Sequence, residues 1–367
     1  MIPVYTPYLT PDILKYAHDA IDSGWLSIGK YNELATQFLQ DYLGVKHVLL
    51  CANGTVATHL VAKALQFRHP EIKTILAADN VYVAAWNSFL FDQKYNIKSI
   101  PANHDTWNMD ESYLNPDETS AILAVHNMGN PVNVIELKKR FPKTPIVEDA
   151  CEGFFGKYEG YNTATQSVAS SLSFFGNKNI TCGEGGAVAT DDSEVYNHIR
   201  KLCGQGQTSQ RFIHDELGYN YRLTNVAAAI LYGQLKNIDE IKAKKQQVWQ
   251  KYQKHLQNVE NIKLQKVNDN CEHSMWMFGV QFTKTNKTLP EIQSHFQKLN
   301  IETRPMFYPM TAHMHLFYNN KIQHHDLQEK SLHLNQTTVI FPSYPNLTEE
   351  DQNHVILSIV EFAKGNL

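Results

Sequence analysis

The stretch ASSLSFFGNKNITCGEGGAVAT (residues 169–190) decides how this chain folds. Two apolar runs, 169–175 and 186–190, are typical of buried strands. Between them lie one lysine, Lys178, and the glycine-rich segment GEGG, which permits tight turning and a close approach of backbone to a ligand. A lysine at this point is either a surface or ion-paired residue or part of a ligand site, and residues elsewhere in the chain have to distinguish the two.

Apolar runs on both sides of this stretch alternate with helical patterns. Several runs lack a strict alternation of polar and apolar residues, as expected for strands that are covered on both faces of a sheet. The predicted strands are HVLLCA (47–52), TILAA (74–78), IKSIPA (97–102), SAILAVH (120–126) and PIVEDA (145–150). Helical patterns at 55–66, 83–91 and 134–141 separate them. The alternation predicts an α/β fold with a doubly wound, mostly parallel sheet.

The pattern changes near residue 226. A helical pattern without proline runs to about residue 257 and predicts one long helix, or two with a kink near Gly233. Predicted strands at 278–283 and 339–345 alternate with further helices, and the run SMWMFGV (274–280) is interpreted as core. We therefore predict a large α/β domain over 1–235 and a smaller C-terminal α+β domain over 236–367, linked by the long helix.

Composition excludes several classes of protein. The chain has 367 residues, 43% of them hydrophobic, and a net charge of −4, which gives no indication of nucleic-acid binding. No apolar run is long enough to cross a membrane, and no signal peptide is predicted. The five cysteines form no CxxC pair, which favours a reduced, cytoplasmic location. The histidines lack the spacing of a metal site, so no metal is expected.

A carboxylate lies near the end of the predicted strand at 145–150. Asp149 lies at its carboxyl end, where α/β proteins place their ligands. A buried carboxylate needs a cation or several donors, because its desolvation costs several kcal/mol. Taken alone, Asp149 could also be a helix cap or an acid at the rim of a loop.

Lys178 also follows a buried strand, so both side chains reach one cleft if their strands are neighbours. A lysine in such a cleft loses solvation, which favours the free amine that a Schiff base requires. Pyridoxal phosphate needs both groups: a lysine that binds its aldehyde, and an aspartate that pairs with the pyridinium nitrogen so that the ring acts as an electron sink. The pair therefore predicts a pyridoxal 5′-phosphate site.

A phosphorylated cofactor also needs an anion site. Gly54 and Thr55 follow Asn53 between a strand and an apolar helix, whose first amides would point at the ligand. Ser173, five residues before Lys178, could add a hydroxyl. An ordinary strand-to-helix turn has the same sequence, but phosphate loop, aspartate and lysine in this order form a stronger pattern together.

IVEDACEGFFG (146–156) and SLSFFGNKNITCGEGGAVATDD (171–192) resemble the DegT/DnrJ/EryC1/StrS sugar aminotransferases, which are fold-type I pyridoxal phosphate enzymes. The likeness continues through LGYNYRLTNVAAAILYGQL (217–235) and IETRPMFYP (301–309). Within the family the chain most resembles the GDP-perosamine synthase group, which aminates C4 of a nucleotide-linked 4-keto-6-deoxy sugar. The resemblance implies that Lys178 forms the Schiff base and moves the proton, and that Asp149 pairs with the pyridine nitrogen.

The resemblance also implies roles for outer residues of the site. Tyr82 would stack on the cofactor, and Glu152 would lie near its hydroxyl group. Asn220 would reach the phosphate from the neighbouring subunit, so that a homodimer shares its active sites. Arg304 would contact the nucleotide diphosphate. Core packing for Tyr82, a turn for Asn220 and an ion pair for Arg304 are the alternatives.

The predicted reaction moves an amino group from L-glutamate, released as 2-oxoglutarate, to C4 of the ketosugar. Three alternatives remain at this stage. Amination could occur at C3, the fold could carry a dehydratase that uses pyridoxamine phosphate, or it could carry a non-catalytic ligand-binding protein. Relatives that are dehydratases replace the lysine with histidine, whereas Lys178 is present here. The nucleotide, whether GDP, UDP or dTDP, does not follow from the sequence.

Overall fold

The computed structural model describes residues 1–365. Its strands are β1 (His47–Cys51), β2 (Thr74–Ala78), β3 (Asn96–Ile100), β4 (Ser120–Val125), β5 (Ile146–Asp149), β6 (Lys157–Tyr158), β7 (Tyr161–Asn162), β8 (Ser170–Ser173), β9 (Gly186–Thr190), β10 (Ile262–Leu264), β11 (Cys271–Glu272), β12 (Phe278–Phe282), β13 (Arg304–Pro305), β14 (Ile322–Gln323) and β15 (Thr338–Phe341). Its helices are α1 (Pro11–Asp22), α2 (Lys30–Leu43), α3 (Gly54–Arg68), α4 (Ala84–Leu90), α5 (Val134–Arg140), α6 (Ser193–Cys203), α7 (Asn225–Lys236), α8 (Ile238–Leu256), α9 (Leu289–Lys298), α10 (Met314–Phe317), α11 (Gln328–Thr337) and α12 (Glu349–Gly365).

An eight-stranded sheet forms the larger layer, in the order β1-β9-β8-β5-β4-β2-β3-β14. Five of its seven pairings are parallel, and the two that involve β9 are antiparallel. The predicted α/β fold with a large, mostly parallel sheet is therefore confirmed. Every residue of β4 and β5 is buried, which explains why β4 has no alternation of polar and apolar residues after Ser120.

Helices cover both faces of this sheet. Along β9, Val188 belongs to one hydrophobic cluster, which includes Leu60 of α3, whereas Ala187 and Ala189 belong to a second cluster, which includes Leu231 of α7. Since successive side chains of a strand point to opposite faces, the two clusters lie on opposite sides of the sheet. This is the doubly wound arrangement.

A second, four-stranded antiparallel sheet has the order β10-β12-β15-β13. Its core is rich in aromatic rings, among them Phe282, Phe296, Phe341 and Phe362, and it includes residues of α8, α9 and α12. The predicted strands at 278–283 and 339–345 correspond to β12 and β15, although β15 begins at Thr338 and ends at Phe341.

The helical connection between the two sheets consists of two helices. The break falls at Asn237, between α7 and α8, and not at Gly233, which remains inside α7. A Cβ atom at Gly233 would lie 2.8 Å from the Cα atom of Ile13, so this glycine permits close helix packing and does not cause a kink. The division into 1–235 and 236–367 stays a prediction, and residues 366–367 lie outside the described part.

Each sheet also receives a segment from the part of the chain that builds the other sheet. Ile2 bridges Ile301 beside the smaller sheet, and β14 pairs with β3 at the edge of the larger sheet.

Within residues 1–365, no helix has both the length and the apolar character that a membrane crossing requires.

Candidate active site

The strand order brings several strand ends to one edge of the large sheet. β5 and β8 are parallel, and β1 runs in the same direction because β9 pairs antiparallel with both β8 and β1. Their carboxyl ends therefore meet, as in other α/β ligand sites. A cavity of about 420 Å³ lies at this edge, between the two sheets. Eight predicted site residues line it: Gly54, Thr55, Tyr82, Asp149, Glu152, Ser173, Lys178 and Arg304.

Asp149 ends β5 with its side chain facing this cavity. The residue is only 7% exposed. Its Oδ1 accepts a hydrogen bond of 3.0 Å from the backbone N–H of Cys151, and in the described part of the chain it forms no ion pair. A buried carboxylate without a cation is unfavourable by several kcal/mol. The arrangement therefore favours a bound ligand that brings a positive charge.

Lys178 enters the same cavity from the turn after β8. Its backbone N–H bonds to the carbonyl oxygen of Phe175 at 2.9 Å, and its carbonyl oxygen accepts a hydrogen bond of 2.6 Å from the hydroxyl of Tyr5. The Nζ atom lies 3.9 Å from Oε1 of Glu152. The side chain is 12% exposed, so the amine is sheltered yet open to the cavity.

Glu152 is a buried acid close to the amine of Lys178. Its Oε2 accepts a hydrogen bond of 2.8 Å from the backbone N–H of Met128. Burial raises the pKa of Glu152 from 4.5 to about 7, although the nearby ammonium of Lys178 opposes this shift. Near neutral pH this carboxyl group can therefore either donate or accept a hydrogen bond towards a ligand.

Replacing Glu152 with glutamine should remove a pH dependence of stability. Because the pKa of Glu152 is about 7 in the folded chain and 4.5 in the unfolded chain, the folded state holds a proton that the unfolded state releases. Stability present below pH 4.5 is thus lost as the pH rises to about 7, by roughly 3 kcal/mol. Urea unfolding of the cofactor-free wild type and Glu152→Gln at several pH values measures the difference.

The exposed Glu136 is the matched control for that experiment, because its side chain is 59% exposed. The stability of Glu136→Gln should follow the wild-type pH curve. Parallel curves for the wild type and Glu152→Gln between pH 5 and 7 would contradict the assignment of the shift to Glu152.

An anion cradle lies at the start of α3. Asn53 caps this helix, its Oδ1 accepting a hydrogen bond of 3.0 Å from the N–H of Val56. The amides of Gly54 and Thr55, the first in the helix, have no acceptor within it. A Cβ atom at Gly54 would lie 2.7 Å from the Cβ of Ser173, so glycine is needed for this hydroxyl to approach the helix. The amides and the hydroxyl together suit a phosphate group.

Two predicted residues lie at the mouth of the cavity. The ring of Tyr82, which precedes α4, is 57% exposed and lies 5.7 Å from the ring of Phe307. Arg304 of β13 forms an ion pair of 3.8 Å with Glu302, and the two side chains are 43% and 38% exposed. An exposed pair at this distance contributes little energy, so the guanidinium remains available to a ligand. The roles of Tyr82 and Arg304 stay predictions.

Asn220 does not line this cavity. It is exposed, and its Oδ1 accepts hydrogen bonds of 3.3 and 3.1 Å from the guanidinium of Arg222. Its predicted contact with the phosphate of a neighbouring subunit requires a second chain, so this role also stays a prediction.

Some lining residues were not selected from the sequence. Among them are Thr58, Cys151, Asn177, Trp276 and Phe307. Asn177 and Cys151 adjoin residues that were selected, and Oδ1 of Asn177 is buried without a partner in the described chain, as expected of an atom that faces a ligand. Trp276 belongs to the run interpreted as core, and it is itself buried in a hydrophobic cluster with Met277 and Met306, although its ring also lines the cavity. No metal-binding group of three or more His, Cys, Asp or Glu side chains occurs within residues 1–365.

Comparison with known proteins identifies relatives over nearly the whole chain. Residues 7–360 match the profile of the DegT/DnrJ/EryC1/StrS aminotransferase family. The chain is 33% identical over 369 residues to a GDP-perosamine synthase of Escherichia coli O157:H7, with 98% of each chain covered. It is 29% identical over 370 residues to a GDP-perosamine synthase of Vibrio cholerae, with 97% of each covered.

A solved structure gives a similar result for the fold. The E. coli GDP-4-keto-6-deoxy-D-mannose-3-dehydratase with bound hydrated PLP superposes with a TM-score of 0.90 at 19% identity. The match covers 98% of this chain and 99% of that one. At this identity the likeness concerns the fold alone.

Proposed function

Because the chain belongs to the DegT/DnrJ/EryC1/StrS aminotransferase family and is a pyridoxal-phosphate-dependent sugar aminotransferase, we propose that it transfers an amino group from L-glutamate to C4 of a nucleotide-linked 4-keto-6-deoxy sugar. The observation that carries this proposal is the buried, unpaired Asp149 in the cavity that Lys178 enters. The sugar and the position of amination rest on similarity to relatives named GDP-perosamine synthase.

The residues of the cavity fit the cofactor. Pyridoxal phosphate, when bound, supplies an aldehyde that takes up the amino group and a ring that withdraws electrons from the reacting carbon. Asp149 would hold the ring nitrogen in its protonated form, and the amides of Gly54 and Thr55 with the hydroxyl of Ser173 would hold the phosphate. Glu152 would meet the ring hydroxyl, and Tyr82 would cover one face of the ring.

Lys178 has two tasks in the proposed reaction. Its Nζ would hold the cofactor between turnovers, and in the free state it would act as general base and general acid. In the first half-reaction Nζ would take the α-proton of glutamate and pass it to the cofactor, which regenerates the free amine, and in the second it would carry a proton from the cofactor to the sugar carbon. The sheltered position of Nζ, 12% exposed beside Glu152, limits exchange of this proton with water.

The sugar nucleotide would enter at the mouth of the cavity. Arg304 presents a guanidinium whose fork-shaped donors suit a diphosphate. Its pairing with Glu302 is long and exposed, so a diphosphate could replace the carboxylate at small cost. The nucleotide base would then lie beyond Arg304, outside the cavity.

We also propose a homodimer with shared active sites. Large apolar side chains are exposed near the segment that carries Asn220: Trp25 is 71% exposed, Phe212 73% and Leu217 90%. The segment of Trp25 joins this region directly, because its carbonyl oxygen accepts a hydrogen bond from the side chain of Asn225. A second copy of the chain would cover such side chains.

All five cysteines are free, in keeping with the proposed cytoplasmic location.

A complementation experiment tests the sharing of sites. Asn220→Asp places a negative charge beside the phosphate and should inactivate a homodimer, as should Lys178→Ala. When the two variants are co-expressed, half of the dimers are mixed, and each mixed dimer has one site with Lys178 and the partner's intact Asn220. Activity should return to roughly a quarter of wild type. If Asn220 acts within its own chain, no activity returns.

The proposed reaction is tested with a panel of GDP-, UDP- and dTDP-linked 4-keto-6-deoxy sugars, each incubated with enzyme, pyridoxal phosphate and L-glutamate. The expected result is an amino sugar and an equal amount of 2-oxoglutarate, with NMR placing nitrogen on C4. Nitrogen on C3 would replace the proposed regiochemistry with the alternative. Loss of a sugar hydroxyl without nitrogen would indicate a dehydratase, and no reaction with any ketosugar would refute the proposal.

A further inference from the structure

We infer that Trp276 is a positioning residue for Lys178: its indole ring, together with Glu152, holds the ammonium group in place when the lysine carries a proton and is not bonded to the cofactor. This inference rests on the proposed function. The Nζ atom of Lys178 lies 4.0 Å from the centroid of the Trp276 ring and 3.9 Å from Oε1 of Glu152. Tryptophan gives the most favourable cation–π contact among the aromatic side chains.

The contact is sheltered from water. Trp276 is 5% exposed, and the side chain of Lys178 is 12% exposed. Desolvation strengthens a cation–π contact, because water no longer competes for the ammonium group. The ring therefore attracts the ammonium more strongly than an aromatic side chain on the surface would.

The position of the ring is fixed from three directions. The Nε1–H of Trp276 donates a hydrogen bond of 2.9 Å to the carbonyl oxygen of Asn177, the residue next to Lys178. The backbone carbonyl oxygen of Trp276 accepts a hydrogen bond of 2.9 Å from the buried Nζ of Lys245 in α8. The ring of Phe307 lies 6.4 Å from the Trp276 ring, centroid to centroid, at an interplanar angle of 27°.

The backbone before Trp276 adopts an uncommon conformation. Met275 has a φ of +61°, in the left-handed region that few residues other than glycine adopt. Such local strain persists only where the surrounding structure over-determines it, and it is frequent at functional sites. This turn separates Trp276, which lines the cavity, from Met275, which packs in the core of the smaller sheet.

An aromatic ring suits this task better than a second carboxylate would. Its π face attracts the cation but has no lone pair that accepts the proton. The ring therefore holds the ammonium group in place without removing the proton that Nζ has taken up. With Oε1 of Glu152 at 3.9 Å and the ring centroid of Trp276 at 4.0 Å from Nζ, the ammonium group stays in reach of the reacting carbon.

The contact itself can be tested without catalysis, by a double-mutant cycle in the full-length, cofactor-free chain. Urea midpoints are measured for the wild type, Trp276→Leu, Lys178→Met and the double variant. The two substitutions should be non-additive, since each removes the same contact. Trp249 is the matched control: it is 7% exposed and stacks on His273. Trp249→Leu should be additive with Lys178→Met. Additivity for Trp276→Leu would overturn the inference.

The effect on proton transfer is tested in the holoenzyme by mixing with L-glutamate and following the visible absorbance of the cofactor in a single turnover. Trp276→Leu should lower the maximal rate about tenfold or more, while the half-saturating glutamate concentration changes little. Trp276→Phe keeps a π face and should recover most of the rate, and Trp249→Leu should react like wild type. An unchanged maximal rate, or a change in half-saturation alone, would overturn the inference. A wild-type enzyme that fails to react with any amino donor would instead refute the proposed function.

Discussion

Lys178→Ala is expected to lower turnover about 10⁴-fold or more, because it removes both the amine that holds the cofactor and the group that moves the proton. Cofactor binding should persist, since the phosphate cradle at Gly54, Thr55 and Ser173 and the carboxylate of Asp149 remain in place. Equilibrium dialysis with pyridoxal phosphate measures binding, and mass spectrometry of the sugar product measures turnover.

A matched control for this variant lies on the surface. Lys139 in α5 has a side chain that is 63% exposed and forms an ion pair with Glu136, so Lys139→Ala should retain wild-type turnover. Sustained transamination by Lys178→Ala, through many turnovers per site, would contradict the assigned role of the lysine. Loss of cofactor binding in that variant would instead indicate that Asp149 and the cradle do not suffice to hold the cofactor.

Asp149→Asn should change activity and stability in opposite directions. Asparagine has nearly the same shape, and its Oδ1 can still accept the N–H of Cys151, which now donates to Asp149 at 3.0 Å. The charge opposite the ring nitrogen is lost, so turnover should fall about 10³-fold. The cofactor-free chain should become more stable by roughly 1–3 kcal/mol, because a buried carboxylate without a cation is removed.

Steady-state kinetics and urea unfolding measure these two effects, the latter with and without pyridoxal phosphate. The gain in stability should disappear when the cofactor is bound, since the wild type then pairs its carboxylate. The exposed Asp22 provides a control, and Asp22→Asn should change neither quantity. A cofactor-free Asp149→Asn chain that is less stable than wild type would show that a cationic group of the protein stabilises the carboxylate, which would contradict this prediction.

The fold class could be predicted because it depends on local patterns. The fully buried strand β4 appears in the sequence as the apolar run Ala121–Val125, and the cap of α3 appears as Asn53 before a helical pattern. The break between α7 and α8 was misplaced, at Gly233 and not at Asn237, since a glycine inside a helix is compatible with either a kink or close packing. Only the contact with Ile13 distinguishes these two cases.

The candidate site was predictable where a residue follows a strand. Asp149, Ser173 and Lys178 stand at or just beyond strand ends, and this local position marks them as cleft residues. Trp276 gave no such signal. It lies among apolar residues of the run SMWMFGV, and the same pattern describes an ordinary core segment. Its place beside Lys178 depends on a contact between residues almost a hundred positions apart.

The sequence by itself determined the α/β alternation, the residue types of the site and their order along the chain, because these depend on neighbours within a few residues. The tertiary structure decided which strand ends meet, that Asp149 faces the cavity without an ion pair to any of residues 1–365, and that Trp276 and Glu152 both lie close to the Lys178 amine. Such features depend on strand order and on packing between the two sheets, and no local pattern records how distant segments come together.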